Sequence, residues 1–374
     1  MMNSIANITD AKRIVVKIGS ILLVDSDTGR LHRSWLESIA SDIDHCRKRG
    51  QEVIVVSSGA IALGRRYLDF NAGSLRLEEK QAAAAAGMVR LTHAYQECFE
   101  PYGLSVAQIL LTREDSENRR RYLNARSTLM TLLKVGALPL INENDTVATE
   151  EIRFGDNDRL AARVAAMVSA DVLVLLSDVD GLYTGNPNNN PNATLIPEVT
   201  DITPVIEQMG GLPNSSDSSG GMITKLAAAK QCLGAGCSMV ITKGEQLNPL
   251  QALEDGANCT WFRPRGNPQT ARKQWIAGTL QPHGTFFVDQ GAVKALSEGR
   301  SLLPAGVADI EGKFERGDAI AVKTAAGHEI GRGLTAYSSD DARLIMGHKT
   351  GDILALLGYR GRDEIIHRDD LVMN

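Results

Sequence analysis

Two carboxylates and an amide stand together at Asp156-Asn157-Asp158, inside the stretch IRFGDNDRLAARVA (152–165). Leu160, Val164, Met167 and Val168 follow at i, i+4, i+7 and i+8, one apolar face of a helix. The acidic pair therefore falls at a helix start, where the dipole favours anions by about 0.3–1 kcal/mol each. A cap would need only one of them. A calcium loop is excluded, because a glycine should follow the acidic positions and Leu160-Ala161 follow instead. Two lysines could answer the carboxylates. Lys17 ends the apolar run RIVVKI (13–18), where a charge is costly unless it meets an anion, although a strand-end lysine can also snorkel to solvent. Gly19 behind it lets a backbone N–H approach a ligand. Lys225 and Thr224 lie in the first turn of a helix behind the loop SSDSSGGMITK (215–225), whose Gly220 and Gly221 free the backbone. A cation at a helix N-terminus is unfavourable unless a strong anion arrives, so Lys225 is a phosphate-binding candidate; the alternative is a solvated lysine. Carboxylates set near Lys17 and Lys225 would neutralise the ammonium groups and hold them in place.

Three further stretches carry polar groups at the ends of apolar runs. Ser57-Ser58-Gly59-Ala60 offers hydroxyls and N–H groups to an anion at a helix start, or simply an N-cap. Asn142-Glu143-Asn144-Asp145 can accept from an ammonium and donate to a carboxylate, or form an Asx turn. Ser177-Asp178-Val179-Asp180-Gly181 could hold a nucleotide or a metal-bound water, or be a plain turn. No G-x-x-x-x-G-K-[ST] occurs, no G-x-G-x-x-G follows a strand, and the protein-kinase H-R-D and D-F-G set is missing. Arg119 to Arg121 read as a solvated helix face rather than a nucleic-acid patch.

The elements that must position these groups are short apolar runs: RIVVKI (13–18), EVIVVS (52–57), LSVAQILL (104–111), ALPLIN (137–142), DVLVLLS (171–177) and SMVIT (238–242). They do not alternate with polar residues, as expected for strands buried on both faces of a parallel sheet. Helical stretches such as 78–100 and 220–236 lie between them, which implies βαβ units in an α/β domain with ligands at the carboxyl ends of the strands. The alternation fades after about residue 265. From Gly284 short strands with Gly-rich turns take over, and TAAGHE (324–329) reads as a hairpin connection. The expected division is a domain over 1–275, a linker over 276–282 and a small β-rich domain over 283–374. The polar stretches 185–194 and 212–221 read as loops.

The chain has 374 residues, 43% of them hydrophobic, with 40 Lys and Arg against 45 Asp and Glu for a net charge of −5. That balance argues against bulk nucleic-acid binding, which shows as a basic excess. Five cysteines (Cys46, Cys98, Cys232, Cys237, Cys259) are scattered without zinc spacing and read as reduced thiols. There is no signal-peptide block and no apolar run of about 18 residues, so a soluble cytoplasmic protein without a membrane segment is expected.

Together the stretches VVKIGS, VSSGAIALG, YLNARSTL, PLINENDTVATEEIRFGDNDRLAA, LLSDVDGLYT and SGGMITKLAAA resemble, in order and over essentially the whole chain, the amino-acid kinase superfamily and within it the glutamate 5-kinases. The C-terminal segment looks like a PUA domain. The resemblance implies a three-layer αβα sandwich around a mainly parallel sheet, plus a small β-rich PUA-like barrel domain. It implies ATP-dependent phosphorylation of the γ-carboxylate of L-glutamate, with Mg2+ held mainly by the ATP phosphates. It assigns Lys17 and Lys225 to the transferring phosphoryl group and Asp158 to the position between them. Ser58, Asp145 and Asn157 fall on glutamate-binding positions, and Asn142 and Asp156 adjoin them. Lys17, Ser177, Asp178 and the loop Ser219, Gly220, Gly221, Met222, Ile223, Thr224 and Lys225 fall on the ATP site. Inhibition by proline, a tetramer or dimer, and glutamate-5-phosphate reductase as the next enzyme are implied too. Ser57 replaces a common Thr, Ser219 another, and Arg153 stands where some members have Lys, which bears on proline sensitivity rather than catalysis. Two other readings are weighed against this one. The first is RNA binding or modification through the PUA-like domain, which 9 Lys and Arg against 10 Asp and Glu over 283–361 support poorly. The second is a kinase of another small carboxylate, such as acetylglutamate or aspartate.

Overall fold

The computed structural model describes residues 7–25, 28–70, 73–148, 157–187, 189–210, 221–268, 270–271 and 282–373. Arg153, Asp156, Ser219 and Gly220 lie outside the described residues, as do nearly all of 276–282. The chain divides into two compact units, Met1–Asn118 with Asn124–Pro268, and Arg119–Leu123 with Gln269–Asn374.

The first unit is built on β1 (Arg13–Ile18), β2 (Glu52–Ser57), β3 (Val106–Leu111), β4 (Leu138–Glu143), β5 (Val172–Ser177), β8 (Glu198–Val199), β9 (Ser238–Lys243) and β10 (Cys259–Phe262). A separate small pair is formed by β6 (Leu182–Tyr183) and β7 (Leu195–Ile196). The large sheet has the order β3-β4-β2-β1-β5-β9-β10-β8. Every neighbouring pair is parallel except β9 with β10. Val, Ile and Leu fill the central strands because both faces are covered. One expectation needs correction. LSVAQILL is not buried on both faces: β3 is an edge strand, and only Leu111 in it is buried. A strand with one neighbour leaves part of its surface to solvent, so an apolar run alone does not place it inside.

The described helices of this unit are α1 (Ser20–Leu23), α2 (Arg33–Lys48), α3 (Ala60–Tyr67), α4 (Leu77–Phe99), α5 (Arg113–Glu117), α6 (Arg119–Lys134, whose residues Arg119–Leu123 count with the second unit), α7 (Asn157–Met167), α8 (Pro204–Met209), α9 (Met222–Gly234) and α10 (Pro249–Glu254). Ile14, Val16 and Ile18 of β1 share a core with Leu36 and Ile39 of α2, Leu91 and Tyr95 of α4 and Leu250 of α10. Side chains alternate across a strand, so Val15 and Lys17 point to the opposite face. There α7 packs against β1 and against α9, which packs in turn on β9. The sheet thus lies between two helix layers, as expected. Lys17 is thereby aimed at the layer that carries Asp158.

Both ends of α7 are electrostatically matched. Asp158 sits in its first turn, and two arginines meet its last carbonyls: Arg126 donates through Nε to Met167 at 3.1 Å, and Arg13 donates to Val168. Anions at the N-terminus and cations at the C-terminus both favour the helix dipole. The pairing also resists sliding of the helix along its axis.

The α3–α4 crossing is unusually close. A Cβ on Gly64 would lie 1.7 Å from the Ala83 carbonyl oxygen, and one on Gly87 would lie 1.8 Å from that of Ala60. Only glycine permits this approach. It brings α3, which begins behind Gly59, against α4, which carries Tyr95.

The second unit holds β11 (Gly284–Val288), β12 (Val307–Gly312), β13 (Ala319–Thr324), β14 (Glu329–Leu334) and β15 (Leu371–Met373) in the order β12-β11-β13-β14-β15. Only β11 with β13 is parallel. β13 and β14 form the expected hairpin over 324–329, with Gly327 at φ 85°. Phe286 and Phe314 meet edge to face at 5.5 Å in the core of this unit. Among the described residues of the chain no helix is long and apolar enough to cross a membrane.

Alanine normally stabilises a helix relative to glycine by about 1 kcal/mol. At Gly64 the backbone clash reverses that sign. Gly64→Ala should lower stability by about 1–3 kcal/mol in denaturant melts, and an increase would show that the crossing yields.

Candidate active site

The site gathers at the carboxyl ends of β1, β2, β4 and β5 and at the first turns of α7 and α9. Its centre is Asp158. Lys17 Nζ lies 2.7 Å from one carboxylate oxygen and Lys225 Nζ 3.1 Å from the other. The Thr224 hydroxyl lies 3.1 Å from the oxygen shared with Lys225 and 2.8 Å from the Gly221 carbonyl. Lys17, Asp158 and Lys225 are 9, 2 and 4% exposed. Burial opposes the Asp158 charge, but Lys17 and Lys225 more than offset it and hold its pKa down to about 2. It is therefore ionised at any working pH. One anion set between two cations leaves this trio positively charged, in a place where water screens little.

Sequence explains the placement. Lys17 reaches this point because its position in β1 faces the α7 layer. Lys225 reaches it because the fourth residue of α9 turns toward α7 across the layer. The Lys–carboxylate pairing removes the penalty that a buried lysine alone would carry.

A second group lies on the other side of Asp158. Ser57 ends β2, and its carbonyl accepts from Asn142 Nδ2 at 2.7 Å and from Asn157 Nδ2 at 3.4 Å. Asn157 Nδ2 also donates to Ser58 Oγ at 2.6 Å. With both amide nitrogens turned to the Ser57–Ser58 turn, the Oδ1 atoms of Asn142 and Asn157 are buried with no hydrogen-bond partner among the described residues. The turn itself depends on Gly59 at φ 98°, a conformation side chains rarely adopt, before α3 begins. Asp145 follows β4, half-buried; burial pushes its pKa up to about 6. The two buried amide oxygens, and the desolvated carboxylate three residues beyond Asn142, are each acceptors suited to an ammonium group.

Ser177 ends β5, level with the end of β1, and donates to the exposed Asp178 at 2.9 Å. Gly221 caps α9, and among the described residues nothing lies within 4 Å of where its Cβ would be. Ser177 and Lys17 stand on neighbouring strands at the same end of the sheet. Among the described residues no group of three or more His, Cys, Asp or Glu side chains is arranged to hold a metal.

Arg126 and Tyr95 escape a reading of the residues in order, and so do the partners of Thr224 and Ser57. Thr224 is a partner of Asp158 as well as a residue of the Gly-rich helix start. Arg126 is buried and caps α7. Ser57 and Tyr95 meet hydroxyl to hydroxyl at 3.0 Å. The burial parity of β2 was the one available signal for Ser57, since it turns that side chain toward α4.

The chain matches the sequence profile of the Amino acid kinase family over residues 12–243 and that of the PUA domain over 284–357. A protein named glutamate 5-kinase from Paramagnetospirillum magneticum is 64% identical over 97% of this chain and 98% of its own length. Proteins of the same name from Rhodospirillum rubrum and Agrobacterium fabrum are 56 and 57% identical, each over 96% of this chain, and over 96 and 92% of their own lengths.

The raised Asp145 pKa has a consequence for stability. Folding favours its protonated form, so the gain is complete below its ordinary 3.8 and is lost as pH rises through about 6. Asp145→Asn should therefore make the ligand-free protein more stable by about 1–3 kcal/mol at pH 8, with the gap closing by pH 4. A gap that does not change with pH, measured in paired denaturant melts, would contradict the desolvated carboxylate.

Proposed function

Since the chain belongs to the Amino acid kinase family, in its glutamate 5-kinase branch, we propose that it transfers the γ-phosphoryl group of ATP to the γ-carboxylate of L-glutamate, giving γ-glutamyl phosphate and ADP, the first step of proline biosynthesis. The observation that carries the reading is the buried Asp158 held between Lys17 and Lys225, next in the helix to Asn157, whose Oδ1, like that of Asn142, is a buried acceptor without a partner among the described residues.

The chemistry asks little of acids and bases. A carboxylate is already a nucleophile: its oxygen attacks the γ-phosphorus, the bond to the β–γ bridging oxygen breaks, and no proton moves. What remains is positioning and neutralisation of charge. In this proposal Lys17 and Lys225 meet the oxygens of the transferring group and Asp158 fixes both ammonium groups. The segment from Ser219 to Lys225, with Ser177 and Asp178, receives the nucleotide. Ser58, Asn142, Asn157 and Asp145 hold glutamate, and Asp156 is a further candidate for the same role. The Asn142 and Asn157 oxygens and Asp145 take the substrate ammonium, whose positive charge would draw the Asp145 pKa back down. Mg2+ needs few protein ligands, and we place it on the ATP phosphates, where it would neutralise part of their charge.

The finer parts of the proposal follow from the family reading: proline as inhibitor, a tetramer or dimer, and a cytoplasmic location, with which five free cysteines agree. An acyl phosphate hydrolyses readily, which favours direct use of the product by glutamate-5-phosphate reductase. RNA binding and other carboxylate substrates are not favoured beside near-full-length identity to glutamate kinases.

Lys225→Ala should fold and lose at least about 100-fold in turnover, consistent with removing one preorganised charge at the barrier. A rate near wild type would remove Lys225 from the reaction. ADP release with a panel of acids should be large with L-glutamate, which carries a free ammonium, and near background with N-acetylglutamate and aspartate. Failure with glutamate would overturn the assignment, and repeating the panel with proline tests the inhibition.

A further inference from the structure

We propose that Tyr95 is a positioning residue for the amino-acid site, acting through the Ser57 hydroxyl on the turn that orients the Asn142 and Asn157 amides. Tyr95 lies in α4, on the sheet face away from Asp158, and is fully buried in the aliphatic core of that layer. Its hydroxyl reaches Ser57 Oγ at 3.0 Å. The direction of that bond can be deduced. Ser57 Oγ lies 3.1 Å from the Ser58 carbonyl and has a single hydrogen to give it. Tyr95, whose phenol burial keeps protonated, is then the donor to Ser57.

The chain of contacts runs on from there. The Ser57 side chain is held by Tyr95 on one helix layer. The Ser57 carbonyl takes Asn142 from β4 at 2.7 Å and, at 3.4 Å, Asn157 from the other helix layer. The amide of Ser58 is tied to the Ile18 carbonyl of β1 at 3.1 Å. The Ser57–Ser58 peptide unit thus collects restraints from β1, β4 and α7, and the Ser57 hydroxyl ties the next carbonyl, that of Ser58, to Tyr95 on α4. The orientation of that unit decides that both asparagines turn their nitrogens to Ser57 and Ser58 and leave their oxygens as buried acceptors without a partner among the described residues. A phenylalanine in place of Tyr95 would keep the core volume and delete only the donor. The Ser57 hydroxyl would then be free to turn, and the turn behind it to relax.

The kinetic arm of the test rests on the glutamate reading. Tyr95→Phe should raise the glutamate KM about fivefold to tenfold, the worth of one buried hydrogen bond, with ATP KM and kcat within twofold of wild type. Ser57→Ala should do the same, and the double variant should be no worse than Ser57→Ala alone, because both remove one bond. A lower melting temperature with an unchanged glutamate KM, or effects that multiply in the double variant, would overturn the proposal and leave Tyr95 a core residue. A second arm needs no substrate. In the ligand-free protein the side-chain amide resonances of Asn142 and Asn157 should shift in Tyr95→Phe and stay put in Tyr67→Phe, a change at an exposed tyrosine. Unmoved amides overturn the proposal even where glutamate is turned over. If wild type fails to turn over glutamate, the functional reading falls while the amide shifts still decide the role of Tyr95.

Discussion

Burying two ammonium groups around one carboxylate is the constraint on which the rest of the site depends. A lysine in a nearly water-free place is tolerable only beside an anion, and Asp158 serves two. That arrangement demands that a strand end, the first turn of α7 and the first turn of α9 converge within hydrogen-bond distance. The parallel sheet meets the demand: β1 is central, β5 and β9 lie beside it in order, and the helix layer above them contains both α7 and α9. Much of the architecture can be read as support for that single convergence.

The convergence also separates the tasks of the two helix layers. The layer of α7 and α9 supplies charge. The layer of α3 and α4, pressed together at Gly64 and Gly87, supplies shape, by setting where α3 begins behind Gly59 and where Tyr95 meets the end of β2. The site lies where the strand ends bring both contributions together, which is where open α/β sheets generally hold ligands.

The legibility of all this in the sequence was uneven for physical reasons. RIVVKI and EVIVVS match β1 and β2 residue for residue, because strands covered on both faces need unbroken apolar runs. LSVAQILL carried the same signal and proved to be an edge strand; which strand lacks a neighbour is a property of the topology and not of the run itself. Lys17 and Lys225 stood out because each is unfavourable where it sits without an anion. Their meeting on Asp158 was implied by resemblance, since spacing alone could not choose between Asp156 and Asp158. Tyr95 looked like one more core aromatic in an alanine-rich helix, and Arg126 like one more charge in an arginine-rich one. Their roles arise from contacts 38 and 41 residues away in the chain.

The adjacency of Asn157 and Asp158 has a mechanical meaning. In the proposed reaction one faces the acceptor and the other the phosphoryl group, yet they are neighbours in one turn of a helix, about 100° apart around its axis. The spacing between the two reactants is then set by covalent geometry, as by a gauge block, and not by the closing of one element upon another. A helix that slipped by a single residue would carry both markers about 1.5 Å along its axis, a displacement large on the scale that matters for in-line attack. Arg13 and Arg126, gripping the far end of α7, keep that gauge at zero.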